Sequence, residues 1–348
     1  MSVRVETGNE LPAPLSADPR RLVDVVFRIR EFGILAVLGL LVIVTIAIQP
    51  RFFSTQELKF VLLNTMVFAL LAVGETMVVV TRNVDLSVGS VLGLSAFISA
   101  QQFGKHPGIP IVVAFLVGLG IGVAAGFVNG LLVTVGGVPS LVVTLAMLYI
   151  IRGIDILVVG SGQVVASSLP NAFLNIPQAS IGGVPYAAIV IAIFVAAVAY
   201  YLRSYRSGRE LYAIGSNPQA ARLAGIASAK RVFVAFVICG ALAGVAGVLW
   251  AAQYGTIDST AGTGYELQVI AAVVVGGVAI FGGSGSVVGA ALGALLLNTI
   301  NSALYVLGIS AFWDQAIAGA LLLSAIALDR FINLQLTAAL RRRSRLGA

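Results

Sequence analysis

Residues 109–135 read IPIVVAFLVGLGIGVAAGFVNGLLVTV, a run without one Asp, Glu, Lys or Arg. As an α-helix such a run reaches roughly 40 Å, more than the ~30 Å hydrocarbon core of a bilayer. It has no polar face to turn toward water, so its solvent is lipid or other helices. The rest of the chain follows suit. Of 348 residues, 59% are hydrophobic and 10% charged, with a mean hydropathy of +1.03. A soluble domain carries about 25% charged residues, and so few charges cannot cover a globule of this size. Apolar runs at 32–49, 60–80, 84–100, 138–159, 185–202, 232–252, 267–281, 286–308 and 311–331 join the first. Their continuity excludes a β-barrel, whose strands are about ten residues long and alternate in polarity. The sequence therefore predicts an all-α polytopic membrane protein with about ten transmembrane helices.

The basic residues orient it. If the N-terminus is inside, the inner segments are 1–31, 81–83, 136–137, 203–231, 282–285 and the tail from Arg330. They hold 17 of the 21 Lys and Arg residues; Arg51, Lys59 and Lys105 fall outside, and Arg152 lies within a span. That asymmetry predicts both termini in the cytoplasm. Within the cytoplasmic segment 1–31, Leu22, Val25, Val26, Ile29 and Phe32 share one helical face opposite Arg21, Asp24, Arg28 and Glu31. This predicts an interfacial helix at 19–31 on the inner leaflet, after an unstructured stretch. A single transmembrane domain, 32–331, follows, then a basic tail, 332–348. Arg341, Arg342, Arg343 and Arg345 in that tail suit anionic lipid headgroups better than nucleic acid. Arg20-Arg21 does not open an export signal, because charges interrupt the path to the apolar run. Cys239, the sole cysteine, excludes a disulfide within the chain, and His106 sits in an outer loop beside Pro107.

Two halves of opposite sense are visible. Gly118, Gly122, Gly126 and Gly130 recur every fourth residue in span 4, and Gly285, Gly289 and Gly293 repeat the pattern in span 9. Such spacing gives one helix face on which another backbone can rest, and helix packing explains it more simply than ligand contact. Spans five apart cross the membrane in opposite directions. Spans 3 and 8 are both short and glycine-interrupted, and paired broken helices in inverted halves point to a transport pathway. Intramembrane polar groups are expensive unless buried or lining a wet path. Asn64, Glu75, Asn83, Asp85, Ser87, Ser90, Asn129, Asn298 and Asn301 are the path candidates. Asp85 equally suits a helix cap, Arg152 and Asp155 are spaced to pair, and Asp314 opens span 10.

The only long inner loop is 203–231. In it Asn217 suits a helix N-cap, Pro218 the first turn and Gly225 the stop, predicting a short helix at 218–224 built for docking. No Gly-x-x-x-x-Gly-Lys-Ser/Thr phosphate loop is present, since Gly282-Gly283-Ser284-Gly285 lacks the following Lys. Catalytic and metal-binding motifs are missing too, so the residues give no support to an enzyme. An ion-coupled secondary transporter, with Glu75 or Asp85 as its ion site, and a passive channel remain as alternatives. Neither needs a capped docking helix.

Thr81-Arg82-Asn83-Val84-Asp85-Leu86-Ser87-Val88-Gly89-Ser90, the 208–226 loop, Ala261-Gly262-Thr263-Gly264-Tyr265-Glu266-Leu267 and Gly276 through Gly289 resemble the permeases of bacterial monosaccharide ABC importers, the ribose/xylose/arabinose type. The resemblance extends over nearly all of the chain beyond residue 30. Thr81-Arg82-Asn83 and Phe312-Trp313-Asp314 look closest to rhamnose and autoinducer-2 permeases. The resemblance implies a multi-pass inner-membrane subunit that pairs with a second permease, the same or a paralogue. It also implies two cytoplasmic ATPase subunits, or one fused double ATPase, and a periplasmic or lipid-anchored sugar-binding protein. ATP-Mg would sit on the ATPase, with no cofactor on this chain. Gly208, Arg209, Glu210, Gly215, Asn217, Pro218, Ala221, Arg222 and Gly225 would form the ATPase-coupling loop.

Overall fold

The computed structural model describes residues 19–310 and 312–327, with side chains described from residue 32 onward. The unstructured stretch expected before Pro19 and the basic tail 332–348 lie outside the described residues. The chain is helical almost throughout. In order come α1 (Pro19–Ile48), α2 (Thr55–Val79), α3 (Val88–Lys105), α4 (Ile111–Thr134), α5 (Ser140–Val159), α6 (Asn171–Gln178), α7 (Tyr186–Ser204), α8 (Arg206–Ser216), α9 (Pro218–Leu223), α10 (Ser228–Tyr254), α11 (Tyr265–Val275), α12 (Val287–Val306) and α13 (Phe312–Ala327). Each predicted apolar run coincides with one of α1–α5, α7 or α10–α13. Of these, α2, α4, α5, α7, α10 and α12 are long and apolar enough to cross a membrane.

Three local departures from the sequence expectation stand out. The segment expected to lie along the inner leaflet and the span after it are one uninterrupted helix, α1. The stretch between α5 and α7, for which the sequence offered no element, carries α6 and a two-stranded hairpin. Its strands, β1 (Ser180–Ile181) and β2 (Val184–Pro185), pair through a turn in which Gly182 and Gly183 both take positive φ. The 203–231 loop holds two helices, α8 and α9, where one was expected. Gly208 and Gly215 lower the helical propensity of α8, but its buried face of Leu211 and Ile214 overrides that cost.

The helix ends follow local chemistry. Ser54 accepts the Glu57 N–H to start α2, and Ser286 accepts the Gly289 N–H to start α12. Gly255, in the left-handed region at φ 66°, ends α10. As expected of a broken helix, α11 has only 11 residues, about 16 Å of rise against a ~30 Å core. Glycine-bearing turns flank it at 260–264 and 276–277.

The bundle is apolar on its outside as well as in its core. At its centre α2, α10 and α12 bury most of their surface, whereas α4, α5 and α7 present Leu116, Phe127, Leu145, Leu157 and Ile193 outward. Within the mostly apolar centre a few polar side chains are set: Glu75, Asp85, Ser87, Ser90 and Asn129 are all buried. Lipid accepts the apolar exterior, while the carboxylates and amides must find partners inside.

Candidate translocation path and coupling site

The α4 glycine face is a packing seam, as its spacing predicts. A Cβ added at Gly122 would run into the Gly240 carbonyl, and one at Gly126 would come within 2.9 Å of Val237 Cα. The partner face is Gly240 and Gly244 of α10. Its four-residue spacing was readable but not recognised. The second glycine set behaves differently. Gly289 and Gly293 press against Gly276 and Ala272 at the end of α11, while Gly285 lies before α12 in an extended turn against Val278. Gly285 is therefore not part of a helix face, because Ser286 caps the helix after it.

Five of the path candidates, Glu75, Asp85, Ser87, Ser90 and Asn129, form one buried polar knot. The Asp85 carboxylate accepts the Ser87 N–H at 2.9 Å and the Ser87 hydroxyl at 2.6 Å, capping the approach to α3. Asn129 on α4 donates to Asp85 at 3.3 Å and to Ser87 Oγ at 2.9 Å. Glu75 on α2 accepts the Asp85 N–H at 3.0 Å, and the Cys239 thiol faces its other oxygen at 3.8 Å. Ser90 donates back to the Ser87 carbonyl at 2.8 Å. The knot ties α2, α4 and α10 to the non-helical backbone before α3, where unpaired peptide groups would otherwise face lipid. Asn83 stays in the neighbouring turn, donating to Thr81.

The other three candidates, Asn64, Asn298 and Asn301, line a cavity of about 520 Å³ together with Gln268 and Asp314. Aromatic walls come from Phe60, Phe68, Tyr254, Tyr265 and Tyr305. Asn64 Oδ1 accepts from Gln253 at 2.7 Å and from Tyr254 at 2.8 Å, and Gln268 donates to Asp314. The Phe68 and Tyr265 rings meet at 4.5 Å, and Trp250 donates to the Tyr265 hydroxyl at 3.1 Å. Arg152 supports this wall from behind. It pairs with Asp155 at 3.5 Å, as its spacing predicts, and donates to the Ala261 carbonyl at 2.7 Å in the turn before α11. Sequence reasoning missed Gln268 and the tyrosines, which carry no motif and converge only through the break at α11. The cavity lies where α2 begins and α10 ends, the end that the charge bias assigns to the outside.

At the opposite end, three turns interlock. Arg82 has positive φ (67°), the only non-glycine among the described residues to do so, and its guanidinium donates to the last carbonyls of α8, Gly215 and Ser216. Gly283 N–H donates to the Val80 carbonyl at 2.8 Å, and Tyr212 donates to the Gly285 carbonyl at 3.1 Å. No side chain fits between them. A Cβ on Gly215 would strike the Val80 carbonyl, one on Gly282 would lie 2.6 Å from Arg82 Cγ, and one on Gly283 2.7 Å from Ser216 Cα.

Directly after this junction comes α9. Asn217 Oδ1 accepts the Gln219 and Ala220 N–H groups at 3.1 and 3.0 Å, and Pro218 sits in the first turn. The stop is a Schellman motif: Ile226 N–H to Ala221 O and Gly225 N–H to Arg222 O, both 3.0 Å, with Gly225 at φ 76°. Start and stop match the sequence expectation.

The coupling-loop candidates divide between exposed and buried positions. Arg222 is exposed, and Leu223, not foreseen, is 91% exposed at the tip. Ala221, Gly208 and Gly215 face inward. Glu210 is buried between Arg206 at 2.8 Å and Arg231 at 2.5 Å, so it braces α8 against α10. The hydrogen bond from Arg231 holds its carboxyl below the ordinary range, against the opposing effect of burial, and Arg206 adds to the lowering. Arg209 spends its guanidinium on the Ser204 carbonyl at 2.8 Å.

A solute-sized chamber with polar and aromatic walls, bounded by a helix too short to span the bilayer, defines the class as a membrane permease. More specifically, the chain belongs to the family described as branched-chain amino acid transport system / permease component, whose model matches residues 58–326. It is 36% identical to the ribose import permease protein RbsC of Escherichia coli K12 over 313 residues, covering 89% of this chain and 96% of that one. It is also 36% identical to the autoinducer 2 import system permease protein LsrC of Enterobacter sp. strain 638 over 305 residues, 88% and 87% of the two chains. LsrC of Photorhabdus luminescens gives 36% over 297 residues, 85% and 87%. No solved structure matches the chain.

Proposed function

We propose that this chain is the membrane-spanning subunit of an ATP-driven importer for a monosaccharide, a pentose or a rhamnose-like sugar, or for the sugar-derived signal autoinducer-2. It works in a bacterial inner membrane with ten spans and both termini in the cytoplasm. The observation that carries this reading is the 520 Å³ cavity, large enough for a monosaccharide. Aromatic faces suit the C–H faces of a sugar ring, and amides suit its hydroxyls. Near-full-length likeness to ribose and autoinducer-2 permeases supports the same class.

A free amino acid, the solute in the family's description, fits less well. Its carboxylate needs a cationic or N–H-rich partner, and the described residues lining the cavity include no Lys or Arg. In this reading α9 is the coupling helix, with Arg222 and Leu223 seated on a cytoplasmic ATPase that carries ATP-Mg. A second permease subunit and an external binding protein complete the importer. ATP-driven closure of the ATPases moves α8 and α9, and the interlocked turns at Arg82, Gly215 and Gly283 pass that movement to α2 and α11.

The test is uptake of labelled ribose and of autoinducer-2 into proteoliposomes holding this chain with its genomic neighbour ATPase and binding protein. Uptake of one of them that needs internal ATP and survives a protonophore is expected. Uptake that a protonophore abolishes, or that proceeds without ATP, overturns the proposal.

A further inference from the structure

We infer that Asp314 makes the cavity selective by charge, admitting neutral and cationic solutes and turning away anionic ones such as sugar phosphates and sugar acids. The inference rests on the cavity's being the solute chamber and adds a rule for what enters it. Among the described residues lining the cavity, Asp314 is the one ionisable acid and no Lys, Arg or His accompanies it. The remaining polar groups are the amides of Asn64, Gln268, Asn298 and Asn301 and tyrosine hydroxyls. The carboxylate is held in place, receiving hydrogen bonds from Gln268 on α11 and Asn301 on α12. Both donors are neutral, so they orient the charge without cancelling it. Three helices thus hold a single negative charge in a half-buried recess, where its field is less screened than in open water. Glu57 and Lys59 stand on α2 at the same end but do not line the cavity.

A partner-free experiment reads this directly. Ile309, an apolar residue of the cavity wall, is changed to cysteine in a Cys239→Ala background, and the purified chain is treated with cationic or anionic methanethiosulfonate reagents. Each rate is divided by that reagent's rate with a free small thiol. The cationic reagent is expected to win by more than about tenfold, the scale of one unit charge acting through partly solvated protein. In Asp314→Asn the ratio falls to within about twofold of one, and in Asp314→Glu it stays high. A ratio near one with Asp314 present, or a ratio that Asp314→Asn leaves unchanged, overturns the charge filter. If neither reagent reaches Ile309→Cys while an exposed control, Lys105→Cys, reacts normally, the cavity is not an entry chamber and the proposed function itself falls.

Discussion

Replacing Arg82 separates two opposing contributions at the coupling end of the molecule. Its φ of 67° costs any non-glycine residue about 1 kcal/mol. Its guanidinium offsets this by capping α8 at the Gly215 and Ser216 carbonyls. Charged hydrogen bonds are worth about 1.5–3 kcal/mol when shielded; Arg82 is exposed, so about 1 kcal/mol each is the better figure. Arg82→Ala keeps the strained backbone and loses both bonds, a loss of about 2 kcal/mol. Arg82→Gly loses the same bonds but relieves the strain of roughly 1 kcal/mol, of which the freedom glycine gains when unfolded leaves about 0.5 kcal/mol. The expected order of stability is wild type, then glycine, then alanine. The two variants should differ by about 1–2 °C in midpoint, read by thermal unfolding in detergent. Uptake should follow the bonds rather than the stability, falling in both variants with membrane levels unchanged. An alanine variant as stable as wild type, or a glycine variant less stable than the alanine one, would refute the reasoning.

Other substitutions probe the remaining features. Gly122→Ala should cost about 1–3 kcal/mol because the Gly240 backbone cannot retreat; Gly120→Ala on the same helix, with open space around it, should be neutral in the same melting assay. Asn217→Ala removes the cap of α9 and should cost that helix about 1 kcal/mol, seen as faster amide exchange over 218–223 and weaker ATP-driven uptake. Glu210→Gln should lower the melting temperature at neutral pH. Because the arginines hold the folded pKa of Glu210 below its unfolded value, the stability they give is present above about pH 4.3, the unfolded value. It fades as pH falls through the folded pKa. The gap between wild type and Glu210→Gln should therefore close in acid; a gap that widens there contradicts the pairing.

What the sequence made legible follows from lipid as solvent. Every apolar run became a helix, because a backbone in hydrocarbon has no other way to pair its N–H and C=O groups. The α9 start and stop were readable because Asn217, Pro218 and Gly225 act on their own neighbours. Helix faces were harder. A helix such as α4 is apolar all round, so hydrophobic periodicity is silent, and only its small residues betray the buried side. That signal led correctly to Gly118, Gly122 and Gly126 and was overlooked at Gly240 and Gly244. The path residues divided because burial and lining look alike in one dimension: Asn129 donates to Asp85 inside the bundle, while Asn301 borders open space. The brace at Glu210 was hidden because its partner Arg231 comes from α10, 21 positions on.

One element passes through every site described. Over its 25 residues, about 37 Å, α2 carries Phe60 and Asn64 in the chamber wall, Glu75 in the polar knot, and Val80 just past its end against α8 and Gly283. It is a continuous helix buried along most of its length, and such an element transmits a push better than it absorbs one. If α9 meets an ATPase as proposed, load applied there would emerge among the chamber's amides. By linkage, a solute that responds to that load would alter how tightly the partner holds α9, and by the same factor.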